Sequence, residues 1–401
     1  MDMPIKFFKS ICTLLLLTFT TAISYAQSSQ FFDQLDGMFD ASEYLSENAY
    51  GFLPVPIIIT DPAVEGGLGV MGLFFHETDE EKSARLKAMQ KSEAAAMHLL
   101  PPSVSAAIGA YTGNGSYFAG GGHMGFFNQG KIRYMGGAGH GNVNLDFFGY
   151  GDIVLPKSIE INTEATAVMQ TLKFKLADSS FYLGPTHRYI KAEISPSNIN
   201  DLINNLPPQW HDPIKEVLTQ TITTSGIGFT LEYDTRDNVF SPSQGLKYDL
   251  TTLWFDENIG SDVDYLLSEL SALHYFKLNK HWRTAFRVEV NYADADGFLP
   301  PYATPYINMR GIPSARFQGK SVVMSELELI YQFNLRWSAN AFAGLGKASN
   351  EFSDLGSASS RVSKGLGFRY LIARRYGFNM GIDIAKGPED TVFYIQAGSA
   401  W

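Results

Sequence analysis

Cysteine is all but missing, with Cys12 the single one in 401 residues, and intrachain disulfides are therefore excluded. Cys12 also lacks the preceding small residues that a lipoprotein cysteine needs. Positive charge is in deficit: 31 Lys and Arg stand against 41 Asp and Glu, a formal net charge of −10. Such a balance argues against a nucleic-acid partner. No run of 18 apolar residues follows the first segment of the chain. Helical membrane spans are thereby excluded, while spanning strands are not. From residue 53 onward there is also no Pro/Ser-rich linker, no repeat of fixed period and no low-complexity tract.

What is present begins with an export signal. Lys6 and Lys9 precede an apolar run from Ile11 to Thr20, and Ser24-Tyr25-Ala26 supplies small residues where a signal peptidase reads. Residues 1–26 are therefore expected to be a secretory signal peptide, cleaved after Ala26. Residues 27–52 are expected to be a periplasmic leader or a short helix, because Phe31, Leu35, Met38 and Phe39 recur at helical spacing. Residues 53–401 carry the main domain.

That domain alternates. In "WRTAFRVEVNY" Trp282, Phe286, Val288 and Tyr292 share one face, and Arg283, Arg287 and Glu289 the other. The stretches from Ile227, Leu246 and Tyr376 do the same, with Asp383 on the polar face of the last. Strands of about ten residues that begin or end in Tyr or Trp fit a lipid-facing band between two interfaces better than a soluble sandwich. Sixteen strands are expected, from 53–60 to 391–401, forming an all-β transmembrane antiparallel barrel in the outer membrane. With both termini periplasmic, the long connections 194–224 and 294–320 face outward. The helix-forming segment 77–100 falls on the periplasmic side and breaks the pattern of short turns there.

Enzyme and cofactor motifs are weak. "GLGKAS" at 344–349 lacks the leading Gly of a phosphate loop, since Ala341 stands there. His123 and His140 lie among glycines without metal-ligand spacing and read as structural or lumen-facing. Asp294 and Asp296 lack the further acids of a calcium loop. No catalytic activity, metal or cofactor is expected, though a barrel-embedded hydrolase stays as a third reading because triads assemble in space.

A resemblance comes from several separated motifs. "GFTLEYDTRDNVFSPSQGLKYDL" (228–250), "INMRGIPSARFQG" (307–319), "SELELIYQF", "NAFAGLGKA" and "GFNMGIDIA" resemble, in order, the hairpin, sixth extracellular loop and closing strands of the BamA/TamA superfamily of surface-antigen barrels. The resemblance implies a sixth loop folded back into the lumen, its Arg meeting acids on the inner wall. Carried over, Arg310 and Gly311 match the loop tip and Glu328 the wall acid of the next strand. Gly344 stands where many members have Asp, and Ile312 where an aromatic is usual. Glu326 shares the face of Glu328 and Asp383 points inward, so either is available as a substitute partner. The resemblance also implies insertion, assembly or translocation of protein or lipid at the outer membrane, with outer-membrane lipids, client proteins or a separate periplasmic partner. About 26 residues between Ala26 and the first strand are too few for a periplasmic POTRA domain. A passive channel, its ion preference set by Arg283, Arg287, Lys173 and Lys175, is the alternative. A weak seam between "VPIIITD" and "TVFYIQAGSAW" would favour the assembly reading.

Overall fold

The computed structural model describes residues 31–401 apart from 34, 48–51, 77–82, 84–86, 88–102, 151–152, 197–202, 205–207, 209–210, 213–220, 240 and 298. The expected signal peptide, 1–26, lies outside the described residues, as does most of 77–100, of which only Ser83 and Lys87 are described, both helical.

Strand order follows chain order. The first half comprises β1 (Phe52–Ile59), β2 (Gly67–His76), β3 (Ser103–Thr112), β4 (Tyr117–Phe127), β5 (Ile132–Tyr150), β6 (Ile153–Lys175), β7 (Phe181–Pro196) and β8 (Thr221–Asp234). The second comprises β9 (Gly245–Phe255), β10 (Tyr265–Lys277), β11 (Trp282–Asp294), β12 (Ser321–Gln332), β13 (Trp337–Ser349), β14 (Arg361–Ala373), β15 (Phe378–Lys386) and β16 (Thr391–Ala397). Each pairs antiparallel with its chain neighbours in one 16-stranded sheet. Among the described residues no ladder joins β1 to β16, so the barrel is nearly but not fully closed.

From β8 to β15 the alternation sorts side chains as expected. Ile227, Trp254, Leu270, Leu327, Leu366 and Ile384 are exposed on the outside, while Glu232, Arg287, Glu326, Glu328 and Asp383 are buried inside. Apolar-out and polar-in is the pattern hydrocarbon imposes on a spanning sheet. "GLGKAS" lies within β13.

The first strands differ. Arg133 and Lys173 both turn inward onto Glu232. Their chain neighbours Tyr134 and Leu172 therefore face outward, and Gly136, two residues beyond Tyr134, shares that face. Register carries the outer face from Gly136 to His123 and on to Ser105. His123 and His140 are therefore on the outside, which corrects the lumen-facing expectation. The two-residue period separates two faces without saying which is inner when both are rich in small residues. β5 and β6 also extend further toward their connection than the expected 131–147 and 158–176.

At the other end of β16 the expected strand to residue 401 stops at Ala397. Trp401 turns into the barrel and packs on Leu273, Tyr275 and Ala285 instead of anchoring at the lipid interface. Its indole N–H donates to Glu326 Oε2 at 3.0 Å, a partner the hydrocarbon side does not offer.

The leader is neither one amphipathic helix nor free. Phe32 and Phe39 form a bridge, and the α-helix among its described residues, α1, is the short Ser42–Glu47. Between them Asp33, Asp36 and Asp40 surround Arg336 at 2.5, 2.6 and 2.5 Å, and Arg374 reaches Asp33 as well. Ala41 N–H donates to the Ile372 carbonyl at 2.7 Å. This strap ties the leader to the turns after β12 and β14. The hydrogen bond from Arg336 holds the Asp36 carboxyl below its ordinary value. Burial works against the same shift at Asp33, yet the Arg374 hydrogen bond prevails and its carboxyl is lowered too.

Candidate functional site

The connection between β11 and β12, residues 295–320, holds the candidate site. Its tip is positioned by an apolar cluster: Ile307, Met309 and Ile312 bury themselves against Val322 and Met324 of β12. Ile312, where the resemblance has an aromatic, thus joins this cluster by aliphatic packing. Gly311 has φ +86°, a conformation that favours glycine, and its N–H donates to Tyr394 Oη at 2.8 Å. That bond ties the tip to β16.

This backbone aims Arg310 at the inner wall. Its Nη2 lies 2.7 Å from Glu328 Oε2, its Nη1 2.8 Å from Asp383 Oδ2, and its Nε 3.5 Å from Glu326 Oε1. The guanidinium also stacks 3.5 Å above the centre of the Phe342 ring. A planar fork of donors is suited to bridging carboxylates on several strands at once, which a lysine is not. Arg310 is 7% exposed and Asp383 fully buried, so the pairing takes place out of bulk water. There an unpaired charge is costly. The five residues singled out from the sequence are thus brought together: Arg310 and Gly311 on the loop, Glu326 and Glu328 on β12, Asp383 on β15.

Gly344 is accounted for by the same packing. A Cβ at 344 would lie 2.6 Å from Glu326 Cγ and 3.0 Å from Met309 Sδ. The space an Asp would need is occupied by Glu326, supplied from the neighbouring strand.

Further members were not assigned to this cluster from the sequence. Arg369 grips Asp383 with both ends of its fork, at 2.6 and 2.8 Å. Arg287 holds Glu326 at 2.7 Å and Glu289 at 3.2 Å. Trp401 completes the group, its ring 5.6 Å from the Arg310 guanidinium. Arg369 alternates with the exposed Phe368, so its inward aim was readable from period-two spacing. Trp401 had no such signal. Farther along the loop Arg316 pairs with Glu389 and stacks 3.7 Å over Phe148. Ser314 donates to Asp61 in the first long-side connection. The loop is thus fastened to both ends of the sheet.

On the outer wall Ser105 lies between His76 and His123, at 2.8 and 2.9 Å. Among the described residues neither imidazole has a carboxylate partner. Within those residues the group holds no acid of the kind that orients a catalytic histidine.

In structure the chain is similar to BamA from Haemophilus ducreyi lacking POTRA domains 1–3, with TM-score 0.51, 12% identity, and coverage of 92% of this chain and 80% of that one. It is similar also to CdiB from Acinetobacter baumannii (TM-score 0.54, 11% identity, 86% and 59% covered) and CdiB from Escherichia coli (0.55, 9%, 86% and 62%). The chain thus spans about three fifths of the length of the two CdiB structures. No curated protein matches in sequence. Residues 141–401, well over half the chain, match the Omp85 superfamily domain, and the chain belongs to that superfamily of outer-membrane barrels.

Proposed function

We propose that this protein inserts, assembles or translocates protein or lipid at the outer membrane, with its sixth outer loop locked in the lumen by Arg310. The unsealed seam carries the reading. A membrane barrel ordinarily pairs every strand, because hydrocarbon offers no partner to a free backbone edge. The edges of β1 and β16 are therefore places where an incoming strand adds by main-chain hydrogen bonds. Pro54 and Pro56 remove donors from one side of β1, which keeps that edge from sealing firmly. The Arg310 cluster keeps the wall from β12 to β15 in shape while the seam works. Its partners on this reading are outer-membrane lipids, client outer-membrane proteins and a separate periplasmic protein that delivers them.

The test is a pair of engineered cysteines, one in β1 and one in β16, bridged by a bifunctional reagent in protein reconstituted in phospholipid vesicles. Bridging is expected to stop insertion of an unfolded client barrel while leaving heat-resistant migration intact. Undiminished insertion with the seam bridged sinks the proposal. A passive channel is the second reading, favoured by the inward yet exposed Phe118, Met135 and Met169. Steady conductance in planar bilayers by the intact chain, unchanged on deleting 308–318, would support it.

A further inference from the structure

Barrel lumens are ordinarily polar, and the inner face of the first strands is not. Alternation and register place Ile57, Met71, Ile108, Phe118, Met124 and Met135 on that face. From β1 to β4 every described inward residue between the strand ends is apolar or glycine. Ala165, Ala167 and Met169 continue the wall on β6. It is not filled as the opposite half is by Arg310 and Trp401: Phe118, Met135 and Met169 are 39, 58 and 47% exposed. The outer face of the same strands carries the hydrogen-bonded His76, Ser105 and His123. That outer face also carries the exposed Leu68, Val70, Phe74 and Phe127, so unlike β8–β15 these strands are apolar on both faces.

We infer that this inner wall is a binding surface for lipid acyl chains. An apolar face kept open inside a barrel needs an apolar occupant, since water against it is unfavourable. A polypeptide in that position would bring N–H and C=O groups that require partners. The wall offers none between its strand ends, and an acyl chain asks for none. Methionine is unbranched and adaptable, so four of them, Met71, Met124, Met135 and Met169, suit a mobile chain better than a rigid one. At the short-turn end of the same face Arg133 and Lys173 share the single carboxylate of Glu232. Asp234, 3.8 Å from Arg133, is itself held by Arg236. The foot of the wall is therefore cationic, as a phosphate headgroup would require. At its other margin the wall ends on the free edge of β1, which makes it continuous with the bilayer through the seam. The inference deepens the function proposed above by naming lipid as the substrate class, and it rests on that reading only for the membrane setting.

The experiment uses the full chain in bilayers doped with phosphatidylethanolamine carrying a diazirine near the end of one acyl chain. After irradiation, adducts are mapped by peptide mass spectrometry. Adducts are expected on Met135 and Met169 as well as on the outward Ala138 and Val168. The paired substitutions Met135→Asp and Met169→Asp should cut adducts on Phe118 and Met124 about tenfold, with Ala138 and Val168 labelled as before. Unaltered heat-resistant migration of that variant reports that it folds; should it not fold, Met169→Asp alone serves, with the same expected direction. Adducts confined to outward residues overturn the inference. So does labelling of Met135 by a diazirine-bearing client peptide but not by the lipid. Client insertion is no part of the readout, so failure of the assembly reading and failure of this one are separate results.

Discussion

Replacing Arg310 by alanine removes four contacts: 2.7 Å to Glu328, 2.8 Å to Asp383, 3.5 Å to Glu326 and the stack 3.5 Å above Phe342. The three carboxylates fare differently. Asp383 keeps both prongs of Arg369, and Glu326 keeps Arg287 and the Trp401 indole. Glu328 keeps no ion-pair partner among the described residues. Breaking a buried pair by removing one side costs about 3–5 kcal/mol, and with a single carboxylate orphaned the lower figure, about 3 kcal/mol, applies. At 1.4 kcal/mol per factor of ten, the open population of loop 295–320 rises about a hundredfold. The assay is the half-life of that loop under protease in reconstituted vesicles, read beside heat-resistant migration on a semi-native gel. Arg310→Ala with Glu328→Gln should recover most of the loss, leaving about 1 kcal/mol, because the stranded charge is gone. Arg310→Lys should fall between, having lost the fork. A half-life unchanged by Arg310→Ala, or a double variant no better than the single, refutes the reasoning.

Gly344→Asp should destabilise the barrel by about 1–3 kcal/mol through overpacking against Glu326 and Met309, and Glu326→Gly in the same chain should restore the midpoint of heat-resistant migration. The strap should respond to acid: Asp33 and Asp36 have lowered values in the folded protein. Their contribution is therefore fully present above the ordinary carboxylate value of 3.8 and is lost as pH falls through the lowered ones. Amide exchange at residues 35–41 should stay slow at neutral pH and quicken only below that value, while in Arg336→Ala it should be fast throughout.

Period-two spacing made the later half of the barrel legible, because there one face is charged and the other aromatic. Trp282, Phe286 and Tyr292 opposite Arg287 and Glu289 leave a single way to face the membrane. In β2–β6 both faces mix glycine and alanine with larger apolar residues, Leu68 and Phe74 outward and Met71 and Met135 inward, so the spacing was readable and the direction was not. Arg310, Gly311 and Glu328 were within reach through the resemblance to surface-antigen barrels, and alternation added Glu326 and Asp383 on the same inward face. The strap was out of reach for a different reason. Asp33, Asp36 and Asp40 sit at near-helical intervals, and the arginine that gathers them is some 300 residues away. Local periodicity carries no information about a partner at that separation. Trp401 likewise resembled an interfacial aromatic, and only the carboxylate inside the barrel gives its N–H a better place.

The strap bears on how far the wall can part. It is fastened to the turns after β12 and β14, on one side of the seam, and the chain then passes through α1 to β1 on the other. Only residues 48–51 separate the end of α1 from β1, and each residue spans at most about 3.6 Å. The chain linking the strap to β1 thus has a bounded reach at the short-turn end. So long as Arg336 holds it, the two edges cannot drift apart as parallel rails: they swing open from the far end, like the blades of scissors about a pin.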